Sequence, residues 1–232
     1  MVIEFRSVSQ VYESKSNEKV RALNNLTLTI REGSITAVIG PSGSGKTTLL
    51  NLIAALDFPT EGSVRVDGIE TSTLRRDELQ KYRNEKIGMI FQQFFLIDHM
   101  TAKENVSVPL IPRKYLNSEQ KAELVNSVLT KVELGDKRDR LVSELSGGEL
   151  QRVAVARGLV GDSAVLLADE PTGNLDLTTG LKIMEILAEE SRDRGKTVII
   201  CTHDPRILRL VDRTLYLQDG ALLRDEEKHS SL

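Results

Sequence analysis

Apolar residues in this chain follow two different periods. Residues 2–8 alternate apolar and polar, and Leu26, Leu28 and Ile30 do so again before the turn at Glu32-Gly33, the pattern of half-exposed antiparallel strands. Other stretches are apolar almost throughout and read as buried core strands: Ile35–Ile39, Ile87–Phe91, Val165–Ala168 and Thr197–Cys201. Helices are predicted over Lys46–Leu56, Leu74–Tyr82 and Ser118–Leu134, then along a segment carrying Val153, Val155, Leu159 and Val160. A further helix presents Leu177, Leu181, Met184 and Leu187 on one face. Pro59-Thr60-Glu61-Gly62 marks a turn before the short strand Ser63–Val66, and Asp67-Gly68 reads as a hairpin turn. Leu215 and Leu217 with Asp219-Gly220 suggest a closing hairpin, and Arg224–Leu232 a polar tail. Strands alternating with helices make this an α/β fold.

Residues 94–142 change in character, with Phe94, Phe95, Leu96, Ile97 and Met100 clustered and Pro109 and Pro112 breaking the chain. Three of the five phenylalanines lie between 91 and 95. They form either the small core of a helical insert or an apolar surface patch for a partner helix.

The chemistry collects at the ends of the buried strands. Gly40, Pro41, Ser42, Gly43, Ser44, Gly45, Lys46 and Thr47 fit G-x-x-x-x-G-K-[ST] between a strand and a helix. The glycines let the backbone curl and turn its N–H groups onto a polyphosphate, Lys46 brings a charge to it, and Thr47 a hydroxyl for Mg²⁺. Thr48, the next residue, is counted with this cradle. Ser146, Gly147, Gly148 and Glu149 open a second helix whose uncovered amides make another anion site. Val165–Ala168 delivers Asp169 and Glu170 at a strand's carboxyl end, where α/β sheets place ligands. Pro171 is expected to hold Glu170 extended. Gln92 ends another strand, either as a solvated polar residue or as an amide reaching a metal-bound water or phosphate oxygen. His203 also stands at a strand end, ahead of Asp204 and Pro205, which read as cap and first residue of a helix. Tyr12, beside the polar stretch Glu13–Lys19, either packs or stacks on a base.

Composition narrows the classes. With 232 residues, 40% hydrophobic and 28% charged, the chain has the make-up of one large globular α/β domain or a core with an insert. A net charge of −3 leaves no global positive field for nucleic acid. The longest apolar runs, Leu52–Leu56 and Ala164–Ala168, have five residues each against the roughly 20 that span a bilayer. The start, Met1–Arg6, lacks a signal-peptide profile, and a single cysteine, Cys201, reads as a buried small hydrophobe, so a cytosolic setting is expected.

Taken in order, Tyr12, Gly40–Thr47, Gln92, Leu145–Glu149, Val165–Glu170, Asn174-Leu175-Asp176 and His203 resemble the nucleotide-binding subunit of an ATP-binding-cassette (ABC) transporter, over essentially the whole chain. Within that family, Phe91-Gln92-Gln93-Phe94, Met100–Val106 and Asp169–Asp176 are similar to the branch of macrolide exporters, lipoprotein-releasing machines and the cell-division ATPase FtsE. The signature ends in Glu149 where the commonest family form has glutamine.

The resemblance implies a single domain, 1–232, with a P-loop NTPase (RecA-like) core, an antiparallel β edge subdomain and an α-helical subdomain inserted at about 93–160. It implies a head-to-tail homodimer formed with ATP, each site completed by the partner's Ser146–Gly148. It further implies that Glu170 acts as general base, that Gln92 and His203 position water and γ-phosphate, and that Thr47, Gln92 and Asp169 hold Mg²⁺. By the same analogy Tyr12 stacks on adenine and Asp176 links the two sites. An integral membrane permease subunit would dock near Gln92 and Phe94–Met100, placing the chain on the cytoplasmic face of a membrane. The role expected is to energise export or substrate release, with an FtsE-like regulatory ATPase as the alternative. Soluble ABC proteins would carry coiled-coil inserts, paired cassettes or basic faces, and a small-molecule kinase would leave Ser146–Glu149 unexplained.

Overall fold

A computed structural model describes residues 2–13 and 18–228. Two sheets organise it. The first is antiparallel, ordered β2-β1-β4-β5, from β1 (Ile3–Glu13), β2 (Lys19–Ile30), β4 (Glu61–Val66) and β5 (Ile69–Glu70). The second has six strands ordered β10-β9-β3-β8-β7-β6. In it β3 (Ile35–Ile39), β6 (Ile87–Ile90), β7 (Val165–Asp169), β8 (Thr197–Thr202) and β9 (Arg213–Gln218) run parallel, and β10 (Ala221–Glu227) closes one edge antiparallel.

The period of two along the central strands sorts side chains to two cores. Val38, Val165, Leu167, Ile199 and Cys201 face α1 (Lys46–Ile53) and the antiparallel sheet, joining Phe5, Leu23, Leu49 and Ile53. Ala37, Leu166, Ala168, Val198 and Ile200 face the opposite side. There they meet α5 (Gly147–Leu159) and α6 (Leu177–Arg192), with α3 (Ala102–Ser107) and α4 (Ser118–Lys131) beyond. The remaining helix, α2 (Arg76–Lys86), precedes β6. Between β6 and β7 the chain leaves the sheet for α3, α4 and α5, and α5 returns to lie on β6. Gly158 permits that approach: a Cβ there would stand 2.6 Å from Ile90 Cγ1.

Buried charge ties these parts together. Glu190, on α6, is 2% exposed and pairs with Lys196 at 2.7 Å ahead of β8, with Lys131 of α4 at 3.0 Å and with Arg194 at 3.5 Å. Burial pushes its carboxyl up, but the Lys196 and Lys131 contacts outweigh this and leave it below the ordinary carboxylate value.

Several expectations are corrected. Strand β1 continues past residue 8 to Glu13, so Tyr12 pairs with Val20 across a ladder and is no loop residue; residues 14–17 of the polar stretch lie outside the described residues. Helix α1 stops at Ile53, and Ala55 at φ +52° turns the chain before Leu56. Leu177 is exposed, and the buried stripe of α6 runs through Ile183, Met184 and Leu187. Residues 224–227 of the expected tail belong to β10, held to β9 by a bidentate Arg213–Asp225 pair at 2.7 and 2.6 Å; residues 229–232 lie outside the described residues. Phe91, Phe94 and Phe95 form no insert core: Phe95 is 63% exposed, with its ring edge-on to Phe91 at 5.1 Å. The insert is filled instead by Ala102, Val106, Leu110, Val125 and Leu129. Helix α3 was not anticipated, although Thr101-x-x-Glu104 is a capping box, Thr101 N–H donating to Glu104 Oε2 at 2.8 Å. Among the described residues no helix is long and apolar enough to cross a membrane.

Candidate functional site

Strand β3 ends where Gly40–Gly45 curl into α1. Gly45, at φ +100°, lies so close to β2 that a Cβ would meet Ala22 O at 2.4 Å. No side chain caps α1, so its first amides face the loop's hollow. Lys46 Nζ arches back to donate to Gly40 O at 2.8 Å and Pro41 O at 2.9 Å. Ser44 is 2% exposed and its hydroxyl has no partner among the described residues. A cationic amine parked on carbonyls and open amides are what a polyphosphate would engage, whereas Ser44, unlike the rest of the loop, is turned into the protein and does not line the cleft.

Strand β7 runs up beside the loop. Thr47 Oγ1 donates to Asp169 Oδ2 at 2.7 Å. Burial raises Asp169, the Thr47 hydrogen bond and Lys46 lower it, Glu170 raises it, and the balance lies above its ordinary value. A hard cation between hydroxyl and carboxylate would relieve that desolvation, so the pair fits Mg²⁺, which takes one or two carboxylates and keeps its remaining positions for water and substrate phosphate. Beneath them Cys201 is fully buried, its thiol pushed well up by burial.

Glu170 corrects a further expectation. It is not extended but stands at φ +47°. Its N–H still donates to Cys201 O at 2.8 Å, and the chain then turns tightly, Gly173 N–H reaching Glu170 O at 3.2 Å. These bonds override the extended preference of a residue before proline. The side chain, 11% exposed, meets His203 Nδ1 at 2.9 Å from the end of β8. The residues expected to cap a helix after His203 open a short 3₁₀ helix, Pro205–Leu210.

Tyr12, Gly40, Pro41, Ser42, Gly43, Gly45, Lys46, Thr47, Thr48, Gln92, Asp169, Glu170 and His203 line one cleft of about 540 Å³. Residues from both sheets thus converge on a single hollow. Ser146, Gly147, Gly148 and Glu149 do not line it. They form the start of α5 elsewhere, where Glu149 accepts the Ser146 N–H at 2.9 Å and pairs with Lys137. The Lys137 hydrogen bond and that amide lower the Glu149 carboxyl to about 2. Asp176 caps α6 by accepting from Thr178 and Thr179 N–H at 3.0 and 3.1 Å.

Two cleft features escaped the sequence reading. Val20 and Ala22 form part of its wall because β2 begins earlier than the alternation at Leu26. Asp57, just after α1, accepts from the Tyr12 hydroxyl at 2.6 Å, a partner 45 residues away with no periodic signal to announce it.

The fold and this cleft define a phosphate-loop nucleotide-binding cassette. A family model described as ABC transporter matches residues 23–173, and the chain belongs to that family. It is 44% identical over 229 residues to the uncharacterized ABC transporter ATP-binding protein MJ0796 of Methanocaldococcus jannaschii, covering 97% of both chains. It is 40% identical over 226 residues to the macrolide export ATP-binding/permease protein MacB of Escherichia coli (strain K12), covering 97% of this chain but 34% of MacB, so it spans about a third of that relative's length. Among solved structures it is similar to a dimeric post-hydrolysis state of the MJ0796 cassette bound to ADP and Pi, at TM-score 0.93 and 42% identity over 98% of this chain and 99% of that one. A second dimeric structure of MJ0796, described as a bacterial ABC transporter cassette, gives TM-score 0.94 at 43% identity, with the same coverage.

Proposed function

We propose that this chain hydrolyses ATP to drive an integral membrane partner in export or substrate release. It is an ABC-type ATPase and the ATP-binding subunit of a transporter; the membrane coupling and its purpose are the finer reading. The observation that carries the reading is the convergence, in one cleft, of the phosphate loop with Lys46, the Thr47–Asp169 pair and the Glu170–His203 pair.

In this reading Lys46 leaves its carbonyl perches for the β- and γ-phosphates, and the loop amides hold the remaining phosphate oxygens. Thr47, Asp169 and Gln92 would hold Mg²⁺, which when bound supplies charge neutralisation on the phosphate oxygens. Glu170 takes the proton of an in-line water, and His203, bonded to Glu170, steadies that water against the γ-phosphate. Tyr12 gives adenine an aromatic face, braced by Asp57. Ser146–Gly148, at the open end of a 13-residue helix away from the cleft, supply a second shell of amides to a partner's ATP, so that two copies close two sites by symmetry. The relatives described as dimeric cassettes support that arrangement.

The partner would sit at Gln92 and Phe94–Met100. Gln92, Phe94, exposed Phe95 and Leu96 border a groove of about 740 Å³ there, in keeping with a short apolar helix. In this reading the chain works on the cytoplasmic face of the partner's membrane.

Glu170→Gln tests the chemistry. The variant is expected to bind ATP as the parent does, to lose turnover at least about a hundredfold, the scale of a missing general base, and to elute as a dimer with saturating Mg-ATP. Parental turnover would end the assignment of Glu170, and a monomeric variant under those conditions would end the sandwich.

A further inference from the structure

The loop that carries Gln92 out of β6 has an unusual support. Arg157, near the C-terminal end of α5, donates from Nη1 to Phe95 O at 2.5 Å and from Nη2 to Phe94 O at 2.6 Å. No carboxylate among the described residues lies within ion-pair distance of this guanidinium, and burial pulls its pKa down. A partly buried charge paired only with backbone carbonyls is a poor choice for stability alone. What it does achieve is shape. Phe95 stands at φ +46°, a conformation that a bulky residue keeps only where its surroundings impose it. The guanidinium fork grips both carbonyls, and Phe91 closes on the Phe95 ring from the other side at 5.1 Å. The base of the clamp is equally fixed, since Gly158 seats this turn of α5 directly on Ile90 of β6.

We propose that Arg157 is a positioning residue for ATP turnover: by bridging the carbonyls of Phe94 and Phe95 it sets where Gln92 stands relative to the phosphate loop. The proposal rests on the reading that Gln92 serves the nucleotide site. Because Arg157 and Ser146–Gly148 share one helix, the clamp also makes α5 a strut between the signature end and the Gln92 loop.

Arg157→Lys keeps the charge but cannot span both carbonyls. In steady-state ATPase assays of the full 232-residue chain it should lower kcat by about tenfold, the scale of one lost charge-assisted hydrogen bond, while KM for ATP stays within about twofold. Amide exchange across residues 92–98 should quicken in the same variant. Gln92→Ala should lower kcat at least as far, and the double variant should fall no lower than Gln92→Ala, because Arg157 acts through Gln92. Losses that multiply in the double variant overturn the proposal, as does unchanged kcat in Arg157→Lys beside an impaired Gln92→Ala. Full turnover in Gln92→Ala removes the nucleotide role of Gln92 and the proposal together. If Arg157→Lys does not fold, Arg157→Gln, which removes the partly buried charge and reaches at most one of the two carbonyls, should lower kcat with KM retained; unchanged kcat there also overturns the proposal.

Discussion

Replacing Glu190 by Gln removes the buried negative charge of a cluster whose other carboxylate, Glu189, is half exposed and pairs with Lys131 alone at 3.3 Å. Lys196, its side chain 6% exposed, then keeps a buried ammonium with its 2.7 Å partner neutralised, while Lys131 loses its shorter contact to α6 and keeps only Glu189 there at 3.3 Å. Breaking a buried pair from one side costs about 3–5 kcal/mol, because the surviving ion stays desolvated. At an unfolding entropy of about 2.1 cal/mol/K per residue, a chain of this length changes by about 0.5 kcal/mol per degree, so Tm at pH 7 should fall by about 6–10 °C. The pH dependence carries a sign. The folded carboxyl lies below its ordinary value, so its stabilisation is complete above the unfolded value of 4.5 and is lost as pH falls through the folded one. The gap between parent and Glu190→Gln should therefore close in acid below about pH 4.5. Thermal unfolding followed by circular dichroism at pH 7 and in steps down to pH 3 measures both. Adding Lys196→Met, which removes the stranded charge, should recover most of the loss. A fall of under about 2 °C at pH 7, or a gap that persists unchanged in acid, would refute the reasoning.

Lys46→Ala should weaken ATP binding by about tenfold to a hundredfold, the scale of one or two charge-assisted hydrogen bonds, measured by equilibrium binding; unchanged affinity would remove the phosphate-loop assignment. Asp57→Ala frees the Tyr12 ring, and KM for ATP should rise by about threefold to tenfold with kcat retained. A fall in kcat with KM unchanged would show that Asp57 serves something other than the base platform.

What was legible in the sequence is what is local. Gly40–Thr47 fold into their loop because four fixed positions dictate it, and the apolar runs at Val165–Ala168 and Thr197–Cys201 became central strands because nothing but a sheet interior suits them. Long-range facts were not legible. Tyr12 meets Asp57 only because β1 runs past the end of α1, and Arg157 meets the Phe94 and Phe95 carbonyls across more than 60 residues of chain. Glu170 departs from expectation because a local backbone preference lost to the hydrogen bond its N–H donates to Cys201 O on the neighbouring strand. The phenylalanines between 91 and 95 resemble core by composition, yet Phe91 and Phe94 are only half-buried and Phe95 is exposed, because the helices beyond them bury aliphatic residues of their own.

The sealed position of Cys201 has a practical consequence. The chain has one thiol, it is fully buried behind Lys46, and its proton is held tightly, so thiol-directed reagents have nothing to attack in the folded protein. The native sequence is already a silent background for site-specific labelling. A single cysteine introduced beside Ser146, or at Gln93, would carry the only reactive dye or spin label, and the movement of the two halves of the nucleotide site could be followed without first stripping the protein of its own sulfur.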